Sequence, residues 1–364
     1  MSIGSGAEHS QRKAEHIAAA LQLGDGHDGP AGWADVHLPH HAVPDTDAND
    51  IDTSVSLLGQ TMAMPVVIAG MTGGVPEAYQ LNRALATAAE AAGVAIGVGS
   101  QRAALRNPSL QRTYRVVRDA APTTLVLANI GASQLLDQPG EDALSLRELQ
   151  AVVDMVDADA LAVHLNFVEE LVQPEGQRRA AGLFQALERL CAWSPVPVVA
   201  KETGSGLSEQ TAALLRQAGV QALDVGGRGG TSFRAVEQDR AMSQQSAGHI
   251  AMGQALTGWG IPTPVSVVAS RGGVPVIATG GIRNGVDAAK ALALGATAVG
   301  VGRPVLQRAQ EGSDAVLDWL LALADQLRAA CFLTGCHSVS DLPKRQLVIT
   351  GPTRDWLQQL GLQP

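Results

Sequence analysis

Eight short apolar runs recur along the chain, and each is apolar enough to be a strand that is covered on both faces. Most are followed by a stretch in which small and apolar residues recur at helical spacing. Eight strand–helix units in succession predict an α/β fold, a TIM (β/α)8 barrel, whose active site must lie at the carboxyl ends of the parallel strands. The eight runs are residues 65–69, 94–98, 124–129, 160–166, 196–202, 222–226, 274–280 and 297–302.

The predicted barrel divides the chain into three parts. We assign residues 1–60 to an N-terminal extension, residues 61–335 to the barrel and residues 336–364 to a C-terminal cap. Within the extension, residues 11–23 have the pattern of a short helix. A helix that starts with arginine and lysine either closes the bottom of the barrel or delivers positive charge to a site, and the pattern leaves both open.

The connection between the sixth and seventh strands is much longer than the others. Residues 226 to 274 separate the two runs, so we expect a long loop after strand six. An excursion of this length at the catalytic face is usually a lid or a subunit contact. Near its end, Thr263 and Pro264 are predicted to be the N-cap and a first-turn residue of a helix that runs to Ser270.

The composition is that of a chain with a large buried core. Hydrophobic residues make up 46% of the chain, charged residues 17% and aromatic residues only 3%, so Val, Ile, Leu and Ala must fill the core. The net charge of −9 argues against non-specific binding to nucleic acid or to an anionic membrane. A phosphate ligand would therefore have to be bound by a local group of Arg and Lys.

Cysteine usage and segment lengths indicate a cytoplasmic protein. Cys191, Cys331 and Cys336 have no metal-ligand spacing, which favours reduced structural thiols. No apolar run approaches the ~18 residues of a membrane span, and the first residues lack the hydrophobic core of a signal peptide.

Two glycine-rich segments follow the seventh and eighth predicted strands. Loops at these places commonly bind phosphate in such barrels, because glycine lets the backbone approach the anion and arginine adds a charged hydrogen bond. The alternative is that the glycines only shape tight turns. The candidate phosphate residues are Gly281, Ile282, Arg283, Gly302 and Arg303.

Lys201 comes directly after a buried apolar run. Burying an ammonium group is costly, so it needs an anionic or electron-rich partner. Such a lysine can stabilise negative charge on a flavin ring or form a Schiff base with a sugar phosphate. The structural alternative is a salt bridge to Glu202 or to a carboxylate on a neighbouring strand.

Polar residues at the end of the fourth predicted strand are candidates for catalysis and metal binding. His164 and Asn166 are two residues apart, so their side chains share one face of the strand. Glu169 and Glu170 follow, and a carboxylate beside bound phosphate suggests a Mg²⁺ ligand. The alternative is a solvated acidic turn.

Taken together, these segments resemble the flavin-dependent, type 2 isopentenyl-diphosphate isomerases, and the similarity extends from residue 11 to about residue 360. Each motif is weak alone, but their common order along the chain is specific. The matching segments are RKAEHI (12–17), MTGG (71–74), GVGSQR (97–102), ANIGA (128–132), HLN (164–166), EGQR (175–178), VAKE (199–202), GRGGT (227–231), WGIPT (259–263) and GGIR (280–283).

The resemblance implies a role for each matching position. It implies that FMN binds at the top of the barrel, that a prenyl diphosphate lies beside it, and that Glu170 binds Mg²⁺. The implied catalytic residues are His164, Asn166 and Glu169. The implied cofactor residues are Gly70, Met71, Thr72, Ser100, Asn129, Lys201 and Thr231, with the FMN phosphate at Gly281, Ile282, Arg283, Gly302 and Arg303; the implied substrate residues are Arg12, Lys13, His16, Ser100, Gln101, Arg102 and Glu169.

The reaction that the resemblance implies moves the double bond of isopentenyl diphosphate to give dimethylallyl diphosphate. It is a proton shift without net redox change, yet it requires reduced FMN, with NADPH as the reductant. The resemblance also implies a homo-oligomer, a tetramer or an octamer, that acts on a small molecule and has neither nucleic-acid nor membrane partners.

The chain departs from the family pattern at three positions. Glu169 stands where the family has glutamine, Gly226 where a serine is frequent, and Gln177 where aspartate is usual. A second carboxylate beside Glu170 should have a raised pKa unless a cation neutralises it. These changes affect the expected reaction more than the expected fold.

Other functions remain open on the sequence. A 2-hydroxyacid oxidase would need a histidine after strand six, and residues 224–228 have none. Inosine-monophosphate dehydrogenase would need a cysteine in the sixth loop, where none occurs between residues 226 and 274. A diverged flavoenzyme that couples or cyclises prenyl diphosphates is suggested by Glu169, and a flavoprotein that binds prenyl diphosphate without turnover is a further alternative.

Overall fold

The computed structural model describes residues 26–364, together with Ala19 and Gly24. Apart from Ala19, the predicted helix over residues 11–23 lies outside these residues. The described strands are β1 (Val36–His37), β2 (Val55–Leu57), β3 (Gln60–Met62), β4 (Val66–Ile68), β5 (Ala95–Gly97), β6 (Val126–Gly131), β7 (Ala160–Leu165), β8 (Val198–Glu202), β9 (Ala222–Asp224), β10 (Val276–Thr279), β11 (Ala298–Val301) and β12 (Val348–Ile349).

Helices follow most of the barrel strands and pack around them. Five short 3₁₀ segments, Trp33–Asp35, Ala48–Asp50, Pro108–Leu110, Ala132–Leu135 and Val339–Lys344, lie in the connections. The described α-helices are α1 (Ala78–Ala92), α2 (Arg102–Arg106), α3 (Arg112–Ala120), α4 (Leu146–Met155), α5 (Phe167–Val172), α6 (Leu183–Trp193), α7 (Glu209–Gln217), α8 (Phe233–Ser243), α9 (Ala247–Ala255), α10 (Thr263–Ser270), α11 (Gly285–Ala293), α12 (Arg303–Ala309), α13 (Ser313–Leu333) and α14 (Gly351–Leu360).

Strands β4 to β11 form the closed eight-stranded barrel that the sequence predicts. Every neighbouring pair is parallel, and the circle closes where β11 pairs with β4. Each strand overlaps one of the eight apolar runs. The predicted α/β barrel is therefore confirmed.

The inside of the barrel is apolar at the amino ends of the strands. Val67, Leu127, Val199 and Ile277 belong to one buried cluster there, and Leu57 of the β2–β3 hairpin packs into it. The hairpin thus closes this end of the barrel with apolar side chains. The polar side chains lie at the opposite, carboxyl ends of the strands.

The inward-facing residues change from apolar to polar toward the carboxyl ends of the strands. Because successive inward positions are two residues apart, Asn129, His164, Lys201, Asp224 and Thr279 occupy the carboxyl-terminal inner layer. The register confirms part of this layer, since His164 is the strand partner of Lys201 and Lys201 is the partner of Asp224.

The long connection after strand six is present, and most of it is helical rather than irregular. It contains α8, α9 and α10. The Ser232 hydroxyl accepts the Ala235 N–H and so caps α8. Helix α10 ends at Ser270 as expected, but its N-cap is Pro262 rather than Thr263, because the Thr263 hydroxyl donates to the Arg228 carbonyl instead of capping the helix (3.1 Å).

The segments that precede and follow the barrel in sequence contact each other. Strand β1 pairs antiparallel with β12, with Val36 opposite Ile349. Asp35 also accepts hydrogen bonds from the backbone and the hydroxyl of Thr353 in α14. Within the described part of the chain, none of the helices combines the length and the apolar character that a bilayer span requires.

Candidate active site

A cavity of about 230 Å³ opens at the carboxyl ends of the barrel strands. Residues from the ends of all eight strands, or from the loops directly after them, line it. Eleven of the twelve residues predicted to bind the cofactor are among them. These are Gly70, Met71, Thr72, Ser100, Asn129, Lys201, Thr231, Gly281, Ile282, Gly302 and Arg303.

Arg283 is the exception, and its predicted contact with the phosphate stays a prediction. Its side chain is exposed and is not part of the cavity wall. Its backbone N–H donates to Asp287 Oδ2 at 3.2 Å, just before α11. The chain turns into the helix here, so the arginine is carried past the rim of the cavity.

Glycines allow the backbone itself to form the wall near β10 and β11. At Gly300, an added Cβ would lie 1.7 Å from Thr279 Oγ1, and at Gly70 it would lie 2.2 Å from the Val98 carbonyl oxygen. Gly281 has φ of +68°, a conformation that glycine adopts without strain. A wall with few side chains lets backbone groups approach a phosphate closely, which suits the phosphate end of FMN.

Buried polar atoms in and next to the cavity wall also suit a polar ligand. Thr279 Oγ1 and Asp224 Oδ1 are buried without a hydrogen-bond partner in the part of the chain that the structure describes. Such atoms are uncommon in folded proteins and indicate a bound group or water. The donor set and the glycine-lined wall therefore fit FMN.

Asn129 fixes the orientation of His164. The Asn129 amide group donates to the Val98 carbonyl at 2.9 Å, which leaves Oδ1 as its acceptor. His164 Nδ1 lies 2.8 Å from that oxygen, so we assign the ring proton to Nδ1. The other ring nitrogen, Nε2, is then the acceptor nitrogen of the neutral ring.

Of the two salt bridges that its position suggested, Lys201 forms the one to a carboxylate on a neighbouring strand; its contact with Glu202 is to the backbone. Its ammonium lies 3.2 Å from Asp224 Oδ2 on the neighbouring strand and donates to the Glu202 carbonyl at 3.3 Å. It also lines the cavity. Lys201 therefore both forms a salt bridge and faces the cavity, so the structural and the ligand-binding interpretations are compatible.

Glu202 is a wall residue that the sequence did not single out for the site. Its Oε2 atom accepts the backbone N–H groups of Gly204, Ser205 and Gly206 at 2.7, 2.5 and 2.9 Å. Burial nevertheless raises its pKa to about 7, against the hydrogen bonds and the nearby Lys201, which lower it. The carboxyl therefore titrates near neutral pH at the edge of the cavity.

The same strand end explains one departure from the family pattern. Gly226 has φ of +47°, and an added Cβ would lie 1.9 Å from the Glu202 carbonyl oxygen. The frequent serine cannot be accommodated on this backbone without a shift. This chain therefore offers no side-chain hydroxyl to a ligand at this position.

A second cavity of about 390 Å³ adjoins the first. Both cavities are lined by Ser100, His164 and Glu169. Arg102 and Glu170 line only the second cavity. The site therefore has a glycine-rich compartment and a charged compartment that share three side chains.

The two adjacent glutamates form a buried network rather than a solvated turn. Asn166 Nδ2 lies 3.1 Å from both Glu169 Oε2 and Glu170 Oε1. The backbone N–H of Gln177 donates to Glu170 Oε2 at 2.6 Å, and Glu170 is only 8% exposed. Among the described residues, no group of three or more His, Cys, Asp or Glu side chains could bind a metal, so a metal here would need ligand oxygens as well as Glu170.

Glu141 is a second residue that the sequence did not indicate. It pairs with both Arg102 and Arg106, and its Oε2 accepts the side-chain amide of Gln177 at 2.6 Å. Gln177 thus connects the arginine pair to the Glu170 network. Glu141 lies in a polar loop without a motif, so its role becomes visible only in the folded chain.

Gln101 is not brought to the site. It is fully buried, its amide donates to the Val152 carbonyl at 2.8 Å, and its oxygen accepts the Asn129 N–H at 2.9 Å. These hydrogen bonds hold its side chain in the core, so its predicted contact with the substrate stays a prediction. Arg12, Lys13 and His16 lie outside the described residues.

Comparison with known proteins identifies the family. The model of the FMN-dependent dehydrogenase family matches residues 115–349. The isopentenyl-diphosphate delta-isomerase of Methanosarcina mazei is 43% identical over 97% of this chain and 95% of its own length. That of Archaeoglobus fulgidus is 40% identical over 97% of this chain and 99% of its own length.

Solved structures support the fold. A mandelate oxidase variant with a modified FMN superimposes with a TM-score of 0.63 and 22% identity, covering 95% of this chain and 100% of that one. At this identity the likeness concerns the barrel alone. From its relatives, the chain belongs to the isopentenyl-diphosphate delta-isomerases, a branch of the FMN-dependent dehydrogenase family.

Proposed function

We propose that this chain converts isopentenyl diphosphate into dimethylallyl diphosphate with FMN and Mg²⁺. The observation that carries the proposal is the pair of adjoining cavities. One has the glycine-rich wall that suits FMN, and the other holds a buried carboxylate and an arginine. The side chains they share would lie between the flavin and the diphosphate.

The glycine-rich cavity would bind the flavin. Gly281, Ile282, Gly302 and Arg303 would surround its phosphate, and Lys201 would face its ring. The bound, reduced flavin would supply an electron-rich ring that stabilises positive charge on the protonated alkene.

The charged cavity would bind the diphosphate. Glu170 would provide a carboxylate for Mg²⁺, which is commonly bound by one or two carboxylates and by phosphate oxygens. Arg102 would contact the diphosphate as a charged donor. Arg12, Lys13 and His16 are proposed as further contacts on the strength of the family resemblance alone.

The shared side chains would control the proton. His164 Nε2 is held as an acceptor by the Asn129 hydrogen bond to Nδ1. Asn166 and Glu169 lie at the same junction. They would orient the alkene and exclude water from the charge that develops on it, since water would otherwise capture a cation.

Further parts of the proposal come from the resemblance. NADPH is proposed as the reductant, and a homo-oligomer, a tetramer or an octamer, as the assembly. The domain boundaries are likewise proposed: residues 1–60 as the substrate-binding extension, 61–335 as the FMN-binding barrel and 336–364 as the cap. A cytoplasmic location is proposed with them.

The test is direct. The purified protein is loaded with FMN, reduced without oxygen and incubated with Mg²⁺ and isopentenyl diphosphate in deuterated water. Dimethylallyl diphosphate that carries deuterium, seen by NMR, is the expected result. No product from protein that binds both flavin and diphosphate would refute the isomerase and leave a silent binding protein.

One observation favours a second candidate, a diverged enzyme that couples or cyclises prenyl diphosphates. Glu169 places a carboxylate at the junction of the two cavities, where the family has an amide. The Glu169→Gln variant separates the two functions. A strong rise in isomerase turnover would indicate a native site tuned for another reaction, whereas an unchanged or lower rate would contradict that view.

A further inference from the structure

Asp224 is a buried carboxylate to which the proposed reaction gives no role. It ends β9 and is the strand partner of Lys201 on β8. Its Oδ2 atom lies 3.2 Å from the Lys201 ammonium, and the two side chains are 7% and 12% exposed. Its Oδ1 atom is buried without a hydrogen-bond partner in the described part of the chain.

This arrangement is not explained by stability. A buried ion pair gains little over a well-packed apolar pair, because both charges lose their hydration. A carboxylate oxygen without a partner adds a further cost. The neighbouring inward positions show that this barrel can fill its interior with Val199 and Ala222. We therefore attribute the charge at Asp224 to the cavity that Lys201 lines and to the ligand bound there.

We propose that Asp224 is a positioning residue that holds the Lys201 ammonium at the wall of the flavin cavity and offsets part of its charge, and thereby sets the reduction potential of bound FMN. Asp224 itself contacts the cavity only through Lys201, which lines it. The inference rests on the proposed flavin site and goes beyond it, since it assigns a function to a residue outside the cavity wall.

The direction of the effect follows from electrostatics. Reduction adds negative charge to the flavin, so a nearby ammonium favours the reduced form. A carboxylate 3.2 Å from that ammonium opposes this effect, and both interactions are strong because the pair is shielded from water. Removing the Asp224 charge while keeping its shape should therefore shift bound flavin toward the reduced form.

The experiment measures the midpoint potential of FMN bound to the wild type, to Asp224→Asn, to Lys201→Met and to the double variant. We expect Asp224→Asn to shift the ratio of reduced to oxidised flavin at least about tenfold, which is about 30 mV for a two-electron couple. In the Lys201→Met background the shift should be clearly smaller, because Asp224 then has no ammonium to hold at the cavity wall.

The matched control is Asp159→Asn. Asp159 also pairs with a cation, since its Oδ2 lies 2.6 Å from Arg118 Nη2, but it precedes β7 at the other end of the barrel. Its replacement should leave the potential unchanged. An unshifted potential in Asp224→Asn, or an equal shift in the Lys201→Met background, would overturn the inference. Failure of the wild type to bind FMN would instead refute the proposed function.

Discussion

Replacing Glu170 with glutamine tests the proposed metal site most directly. Glu170 accepts the Asn166 amide through Oε1 at 3.1 Å and the Gln177 backbone N–H through Oε2 at 2.6 Å. Glutamine offers only one acceptor oxygen, so Glu170→Gln loses at least one hydrogen bond to a charged group, about 1.5–3 kcal/mol. It also loses the anionic ligand for Mg²⁺.

Loss of the anionic ligand should weaken Mg²⁺ binding at least as much as loss of a residue that only supports a metal ligand, which typically costs about 10–100-fold. We therefore expect the Mg²⁺ concentration for half-maximal turnover to rise by at least this factor. The assay is a Mg²⁺ titration of isomerisation at fixed isopentenyl diphosphate, with calorimetric binding of the diphosphate in parallel.

Glu169→Gln is the matched variant, because it makes the same chemical change one residue away on a side chain that reaches the flavin cavity. Its half-saturating Mg²⁺ concentration should rise far less than that of Glu170→Gln, since it keeps the proposed metal ligand and loses only the second charge beside it. A Glu170→Gln enzyme with the Mg²⁺ dependence of the wild type would refute Glu170 as the metal ligand. An equal rise in both variants would show that only the total charge of the pair matters.

Three further predictions address the cavity wall and its support. Gly300→Ala should abolish FMN binding, measured by flavin absorbance, because the added Cβ would lie 1.7 Å from Thr279 Oγ1. Gly248→Ala is the control and should bind FMN normally, since its added Cβ would have no atom within 4 Å. Tyr114→Phe should lower the free energy of unfolding by about 1–2 kcal/mol in urea, since the buried hydroxyl donates to the Ser100 carbonyl at 2.6 Å; the half-buried Tyr79→Phe is its control. The pKa of Glu202 is raised from 4.5 to about 7, so its contribution to stability is complete below pH 4.5 and is lost as the pH rises through about 7. The melting temperature of the wild type relative to Glu202→Gln should fall over this range, and a constant difference would contradict the raised pKa.

The barrel could be predicted from sequence because its signal is local. Each strand is a short apolar run, and the turn-forming glycines follow at its carboxyl end. The predicted ends of the strands were less accurate. The predicted run ended at residue 129, but β6 continues to Gly131, which pairs with His164. A hydrophobicity pattern does not mark a glycine as a strand residue. Gly131 belongs to the strand only because it pairs with His164 on β7.

The sequence indicated the residue types at the site better than the directions of their side chains. Ser100 and Arg102 reach the cavities, whereas Gln101 between them points into the core toward Val152. A motif supplies residue types but not side-chain directions, so all three looked equivalent. Glu141 reaches Arg102 from a loop almost forty residues away, and a contact of that kind depends on the closure of the barrel.

The Glu169 substitution has a consequence for metal dependence that follows from the Asn166 contact. Asn166 donates through one amide nitrogen to an oxygen of Glu169 and to an oxygen of Glu170, each at 3.1 Å. With glutamate at 169, two negative charges stand beside the proposed diphosphate position, and the diphosphate is repelled unless a cation intervenes. With glutamine at position 169, the amide oxygen could accept the same hydrogen bond from Asn166, and only the charge of Glu170 would remain. The native chain should therefore bind the diphosphate more weakly without Mg²⁺ than Glu169→Gln does, and the two should converge when Mg²⁺ saturates.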